Sequence, residues 1–169
     1  MKREDQIMEI GIISDTHDNL EQTRKAVALF REKGIRKIIH AGDFCSPFSV
    51  LEFEGFEFHT VFGNNDGDHY RILAKTEEIG GHHHGEFLAF EQEGKQIAVY
   101  HGTQPAITEA LIGGGSYDVV ITGHTHIPNI EKRGKTLHIN PGSAHGFGKA
   151  GSIAVLDLNS AKCRIIELS

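Results

Sequence analysis

Seven side chains in this 169-residue sequence have the types and spacing to hold metal ions. Asp15 and His17 stand in Asp15-Thr16-His17, and Asp43 follows Gly42. Asn64 lies in Gly63-Asn64-Asn65-Asp66, His101 precedes Gly102, and His124 and His126 lie in Gly123-His124-Thr125-His126. Carboxylate, imidazole and amide oxygen together suit Mn²⁺, Fe²⁺, Co²⁺, Ni²⁺ or Zn²⁺ better than Mg²⁺ or Ca²⁺, which favour all-oxygen shells. Seven donors are too many for one tetrahedral site, but they furnish two sites that share a carboxylate. Two divalent ions outweigh Asp15, Asp43 and a hydroxide between them, so the locus draws an anionic phosphoryl group even in an acidic chain. Paired ions also lower the pKa of a bound water and stabilise both oxygens of an in-line displacement. The chemistry expected is phosphoester hydrolysis.

The elements that must position these residues are legible around them. Short β-branched runs at Ile7–Ser14, Lys37–Ala41, Phe58–Phe62, Gln96–Tyr100 and Asp118–Thr122 read as buried strands. Each candidate group follows one of these five strands, so all are expected at one sheet edge, in the crevice beyond the strand C-termini. In extended chain, residues two apart point the same way, which would let Asp15 converge with His17 and His124 with His126. Glycines at 42, 63, 102 and 123 would turn the backbone beside them. Between the strands, Asn19–Lys33 reads as a helix that stops at Gly34. Ser46-Pro47 opens a short helix with an N-cap, residues 69–79 form a weaker helix, and Thr103–Ile112 a fourth. Strands at Thr136–Asn140, Ser152–Leu158 and Lys162–Leu168 predict an antiparallel closing segment. Alternating strand and helix favour an α/β layered fold in one domain over residues 1–169, with a short polar extension at 1–6.

Taken singly, each of these short patterns is ordinary turn chemistry. Their order and shared placement after strands carry the argument. That ordered set, Asp15-x-His17, Gly42-Asp43, Gly63-Asn64-x-Asp66, His101 and Gly123-His124-x-His126, resembles the calcineurin-like metallophosphoesterases, and most closely their small single-domain phosphodiesterases. The resemblance runs from about residue 9 to the C-terminus and includes Asn140-Pro141-Gly142-Ser143. It implies a β-sandwich of two mixed sheets flanked by helices. It also implies that Asp15, His17, Asp43 and His126 hold one ion while Asp43, Asn64, His101 and His124 hold the other, with Asp43 as the bridge. The reaction so implied is hydrolysis of a phosphodiester by a hydroxide bridging two divalent metals, Mn²⁺ foremost, with no covalent intermediate.

The whole chain bounds this reading. Its net charge of -6 and lack of a basic stretch argue against long nucleic acid and anionic membrane as partners, and so against a nuclease. Cys45 and Cys163 are too few for a disulfide framework, and no apolar stretch at the N-terminus is long enough for a signal peptide or a span, so a cytoplasmic location is expected. The partners expected are a small phosphodiester and, as in small relatives, further copies in a homo-oligomer. Two rivals stay open: a phosphomonoesterase using the same ligands, and a protein-binding scaffold like the family's retromer subunit. The other histidines read blandly: His82-His83-His84 as a glycine-flanked loop, His40 and His138 as packed strand residues. A sharper expectation has one of the three loop histidines reach over the metals. Asn19 and Asp66 are expected to support the ligands.

Asn65 departs from the family pattern, which usually has a His there to aid the transition state or leaving group. Asn65 donates a hydrogen bond but cannot act as a general acid near neutral pH. Aryl leaving groups of low pKa are therefore expected to react much faster than alkyl ones. A leaving-group series measured with chemistry rate-limiting checks this, and a flat dependence would overturn it.

Overall fold

The computed structural model describes residues 9–169; the polar extension and the first residues of the strand expected at Ile7–Ser14 lie outside the described residues. In chain order come β1 (Glu9–Ile13), α1 (Leu20–Glu32), β2 (Lys37–His40), a 3₁₀ helix (Pro47–Phe53), β3 (Glu57–Thr60) and α2 (His69–Glu78). Then follow β4 (His82–His83), β5 (Phe87–Gln92), β6 (Lys95–Tyr100), α3 (Pro105–Gly113) and β7 (Val119–Ile121). The chain ends on β8 (Asn129–Arg133), β9 (Thr136–Asn140), β10 (Gly151–Asp157) and β11 (Lys162–Leu168).

These strands form two mixed sheets, in the orders β11-β10-β1-β2-β3-β4 and β5-β6-β7-β9-β8. β1 to β4 run parallel, as do β6, β7 and β9; the antiparallel partners are β10 and β11 in the first sheet and β5 and β8 in the second. The period of two in each strand sorts the core into layers. Ile10, Ile12 and Ile39 pack between the sheets against Ile97, Val99, Ile121 and Ile139. Ile13, Ile38 and Phe58 face the other way, onto Val27 and Phe30 of α1, Phe53 of the 3₁₀ helix and Ile72 of α2. Being buried on both faces is why β1 reads as an unbroken apolar run. Gly11 sits where a Cβ would lie 2.7 Å from the Phe30 ring, so α1 packs closely over the strand. Asn19 caps α1 by accepting from Gln22 N, and the Ile35 N to Phe30 O bond closes its last turn.

Several expectations change. The five site-bearing strands divide between two sheets instead of sharing one edge, with β4 and β5 between them in the chain. The closing segment divides too: β8 and β9 complete the second sheet, β10 and β11 the first. His82-His83 is an edge strand paired with β3, not a loop. Ser46 does not cap the 3₁₀ helix with its side chain; its Oγ donates to Asp18 Oδ1 instead. Asn19 is spent on the helix cap.

Several histidines are structural. His40 is fully buried, accepts from Gly42 N at Nδ1 and meets Thr16 Oγ1 at Nε2; burial holds its pKa well below the ordinary value. His83 packs on the Phe62 ring, and burial, with His84 and His69 nearby, pushes its pKa down to about 4. A histidine whose folded pKa is lowered takes up its proton more readily once unfolded. Its contribution is intact above about 6.5 and is lost as pH falls from there towards about 4. The stability lost between about pH 7.5 and about pH 5 should therefore be smaller in His83→Asn than in the wild type, measured by urea unfolding. Equal losses would overturn this assignment.

Candidate metal centre

The C-terminal ends of β1, β2 and β3 in one sheet meet those of β6 and β7 in the other, and the candidate ligands lie on the loops between. The residues of these loops are not extended. Asp15, His17, Asp43, His124 and His126 have φ of 53°, 40°, 64°, 68° and 59°, in the left-handed region. The two-residue spacing thus works by tight turns after the strands end, not by the pleat. Such conformations cost roughly 1–3 kcal/mol each and persist only where the surroundings enforce them. Here the loops lock one another: Asp15 N donates to Gly42 O, His17 N to Asp43 O, Asp18 N to Phe44 O and Gly123 N to His101 O. Among the neighbouring glycines, Gly42 and Gly102 turn at positive φ, whereas Gly63 and Gly123 provide space. A Cβ on Gly63 would fall 2.1 Å from Asp43 Oδ1, and one on Gly123 2.6 Å from Asp15 Oδ2.

Ligand atoms of Asp15, His17, Asp43 and His126 all lie within 4.8 Å of one another. His17 Nε2 is 3.5 Å from Asp15 Oδ1 and 3.4 Å from Asp43 Oδ2, and His126 Nε2 is 3.1 Å from Asp15 Oδ1. His101 adjoins this group, its Nε2 3.3 Å from Asp43 Oδ2 and 3.9 Å from Asp15 Oδ1. His124 stands beside it, ring to ring with His101 at 5.3 Å, while its backbone N donates to Asp15 Oδ2. Asn64 is placed at the side, where Thr103 Oγ1 reaches its Oδ1 at 3.5 Å.

The electrostatics ask for cations. Asp15 and Asp43 are fully buried, and among the described residues no Lys or Arg forms an ion pair with either. Burial alone would raise the Asp43 pKa, but His101 and the two Asn65 donors outweigh it and hold the group below the usual carboxylate range. For His17 and His101 burial lowers the pKa, and the Asp15 and Asp43 carboxylates more than reverse this. His17 Nε2 and His101 Nε2 are nevertheless buried without an aligned hydrogen-bond partner.

Surrounding groups fix the orientation of these side chains. His101 Nδ1 meets Ala41 O at 2.7 Å, which directs Nε2 to the carboxylates. Asn65 donates its backbone N–H to Asp43 Oδ1 and its side-chain amide to Oδ2, both at 2.8 Å. Asp66 accepts from the backbone N–H groups of Gly63, Asp43 and Cys45, tying two ligand loops together. Three partners carried little or no sequence signal. Ser14 Oγ donates to Asp15 Oδ2 at 2.6 Å. Cys45 Sγ meets His17 Nδ1 at 3.2 Å, and burial beside four carboxylates pushes the thiol up to about 12, so it stays neutral. Phe147 stacks on His126 at 4.6 Å and 8°, its only hint being the flanking Gly146 and Gly148. His145 stacks on Phe147 beside the site, and His82, His83 and His84 make ring and hydrogen-bond contacts with β3 and Phe62 instead of reaching over the candidate metal ligands.

A family model for the calcineurin-like phosphoesterase superfamily domain matches residues 8–161. The chain is 36% identical over 165 residues to phosphodiesterase MJ0936 of Methanocaldococcus jannaschii, covering 95% of this chain and 99% of that one. It is 27% identical over 174 residues to phosphodiesterase YfcE of Escherichia coli, covering 89% and 88%. A solved structure described as an archaeal phosphodiesterase aligns with a TM-score of 0.90 at 36% identity, covering 95% and 100%. Vps29 of Chaetomium thermophilum shares the fold, with a TM-score of 0.70 at 14% identity and 95% of each chain covered.

Gly63→Ala tests the close approach at Asp43. The added methyl must displace the carboxylate, so affinity for divalent metal should fall by at least about tenfold, in the range seen when a ligand's support is lost. Calorimetric titration of the metal-free protein checks this, and unchanged affinity would show that the loop yields.

Proposed function

The chain belongs to the calcineurin-like phosphoesterase superfamily, and on that footing we propose that its strand-end cluster hydrolyses a small phosphodiester with two divalent metal ions. The observation that carries this reading is the convergence of Asp15, His17, Asp43 and His126 within 4.8 Å, where His17 Nε2, and His101 Nε2 beside it, face the carboxylates without an aligned hydrogen bond. Buried polar atoms are nearly always paired, so a ligand is the natural complement of these. Asp15, His17, Asp43 and His126 would hold one ion; Asp43, Asn64, His101 and His124 would hold the other, with Asp43 common to both. The mixed oxygen and nitrogen donors favour Mn²⁺, with Ni²⁺, Zn²⁺, Fe²⁺ and Co²⁺ also suited. When bound, such a pair activates water and stabilises both oxygens of an in-line displacement.

The chain's own residues prepare that chemistry. Asn65, by two hydrogen bonds, keeps both oxygens of Asp43 aimed inward and the carboxylate ionised. The same side chain supplies no acidic proton, so the leaving group departs without protonation from that position. The Ala41 carbonyl and the neutral Cys45 thiol orient the His101 and His17 imidazoles, and Phe147 stacks over one face of His126. The relatives named as phosphodiesterases favour a diester over a monoester substrate. A scaffold without catalysis would have no use for two buried carboxylates converging with these imidazoles, which argues against that rival. Among the described residues no helix is long and apolar enough to cross a membrane, and Cys45 and Cys163 are free thiols, which fits a cytoplasmic enzyme.

The test is turnover of a bis-aryl phosphodiester and the matching aryl monoester by metal-free protein reloaded with Mn²⁺. Diester cleavage that needs metal, prefers the diester, and falls about 10³-fold or more in Asp43→Ala (roughly 4 kcal/mol of barrier) is expected. No turnover of either substrate, with two ions bound per chain, would overturn the proposal.

A further inference from the structure

We propose that His59, His82 and His84 form a separate binding site for one divalent transition-metal ion at the open edge of the first sheet. None of the three shares a hydrogen bond or ring contact with the strand-end ligands.

The placement follows from strand register. His59 of β3 pairs with His82 of β4, and His84 N continues the ladder by donating to Thr60 O. His82 and His84, two residues apart, therefore rise on the same side as His59. His59 Nδ1 and His84 Nε2 face each other at 3.0 Å. Two nitrogens bound to one ion at about 2.0–2.1 Å are themselves about 3.0–3.4 Å apart, so this pair already stands at chelating distance. The hydrogen bond between them needs one nitrogen as acceptor, so one lone pair is already available. An ion takes the place of the shared proton, which leaves to solvent.

The third nitrogen comes from His82, whose ring centre is 5.2 Å from that of His59 and 6.5 Å from that of His84. Rings on one ion have centres about 5 Å apart, so His82 must rotate inward towards His84 to complete the set. It is exposed, and no hydrogen bond holds it in place. Behind His59, Glu57 Oε1 lies 3.3 Å from Nε2, an arrangement that reserves Nδ1 for the ion and increases its basicity. The opposing charge is Lys37, whose Nζ is matched by Glu57 at 2.9 Å. Burial also lowers the proton affinity of His59 and His84, which keeps both neutral near pH 7. An imidazole-only set selects Zn²⁺, Ni²⁺ or Cu²⁺ over Mn²⁺ and Mg²⁺.

Equilibrium dialysis of the full chain against Zn²⁺, followed by metal analysis, tests the site in wild type and in His59→Ala/His84→Ala. The wild type should retain one Zn²⁺ per chain more than the variant, and equal counts overturn the proposal. The strand-end capacity cancels in that difference, so the result does not depend on the phosphodiesterase reading. A second variant, His82→Ala, removes an exposed side chain and decides the matter if the double variant does not fold. Its Zn²⁺ affinity at this site should fall about tenfold, and unchanged affinity would overturn the three-histidine site.

Discussion

Two buried carboxylates, Asp15 and Asp43, with no Lys or Arg paired to either among the described residues, are the constraint on which this molecule turns. Both stand within 3.5 Å of His17 Nε2. Charges so placed are costly unless hydrogen bonds and a counter-charge compensate them. The neighbourhood shows this demand. Ser14, Asn65, the His124 backbone and three imidazoles all point donors or ring nitrogens at the two groups. Gly63 and Gly123 give up their side chains so that the carboxylates fit. Divalent cations would complete the balance that these donors begin.

The backbone bears the cost of that arrangement. Five of the candidate ligands sit in left-handed conformations, which together disfavour the native state by several kcal/mol. The compensation is the apolar packing beneath, where each fully buried isoleucine contributes about 1.5–3 kcal/mol. Ile10, Ile12, Ile39, Ile97, Ile121 and Ile139 are all completely buried between the sheets, directly under the loops they support. A rigid sandwich thus holds loops that would not keep this shape alone.

Much of this was legible in the sequence, and the gaps have physical reasons. Strands buried on both faces read clearly because Ile10 to Ile13 form an unbroken run without polar side chains and Ile38-Ile39 a shorter β-branched one, each with punctuated ends. Edge strands did not: Asn129–Arg133 is almost wholly exposed and polar, and His82–His83 is too short to show a period. The ligand set was visible because its members each follow a strand. Its assembly across two sheets was not, since a period of two says which face a residue takes but not which sheet it joins. The supporting contacts of Ser14 and Cys45 left no mark, because a small polar residue beside a ligand looks the same as one in any loop.

Asp15 illustrates a last point about how the chain must come together. It receives hydrogen bonds from Ser14 at its own strand, from His124 more than a hundred residues away, and, at its carbonyl, from Ser143 and His145. These partners belong to both halves of the sandwich, so the cation cavity does not exist in any fragment or half-docked intermediate. An ion seated there would act as a rivet between layers. It would bind only after the slow, long-range pairings are complete, and would then oppose their separation by mass action.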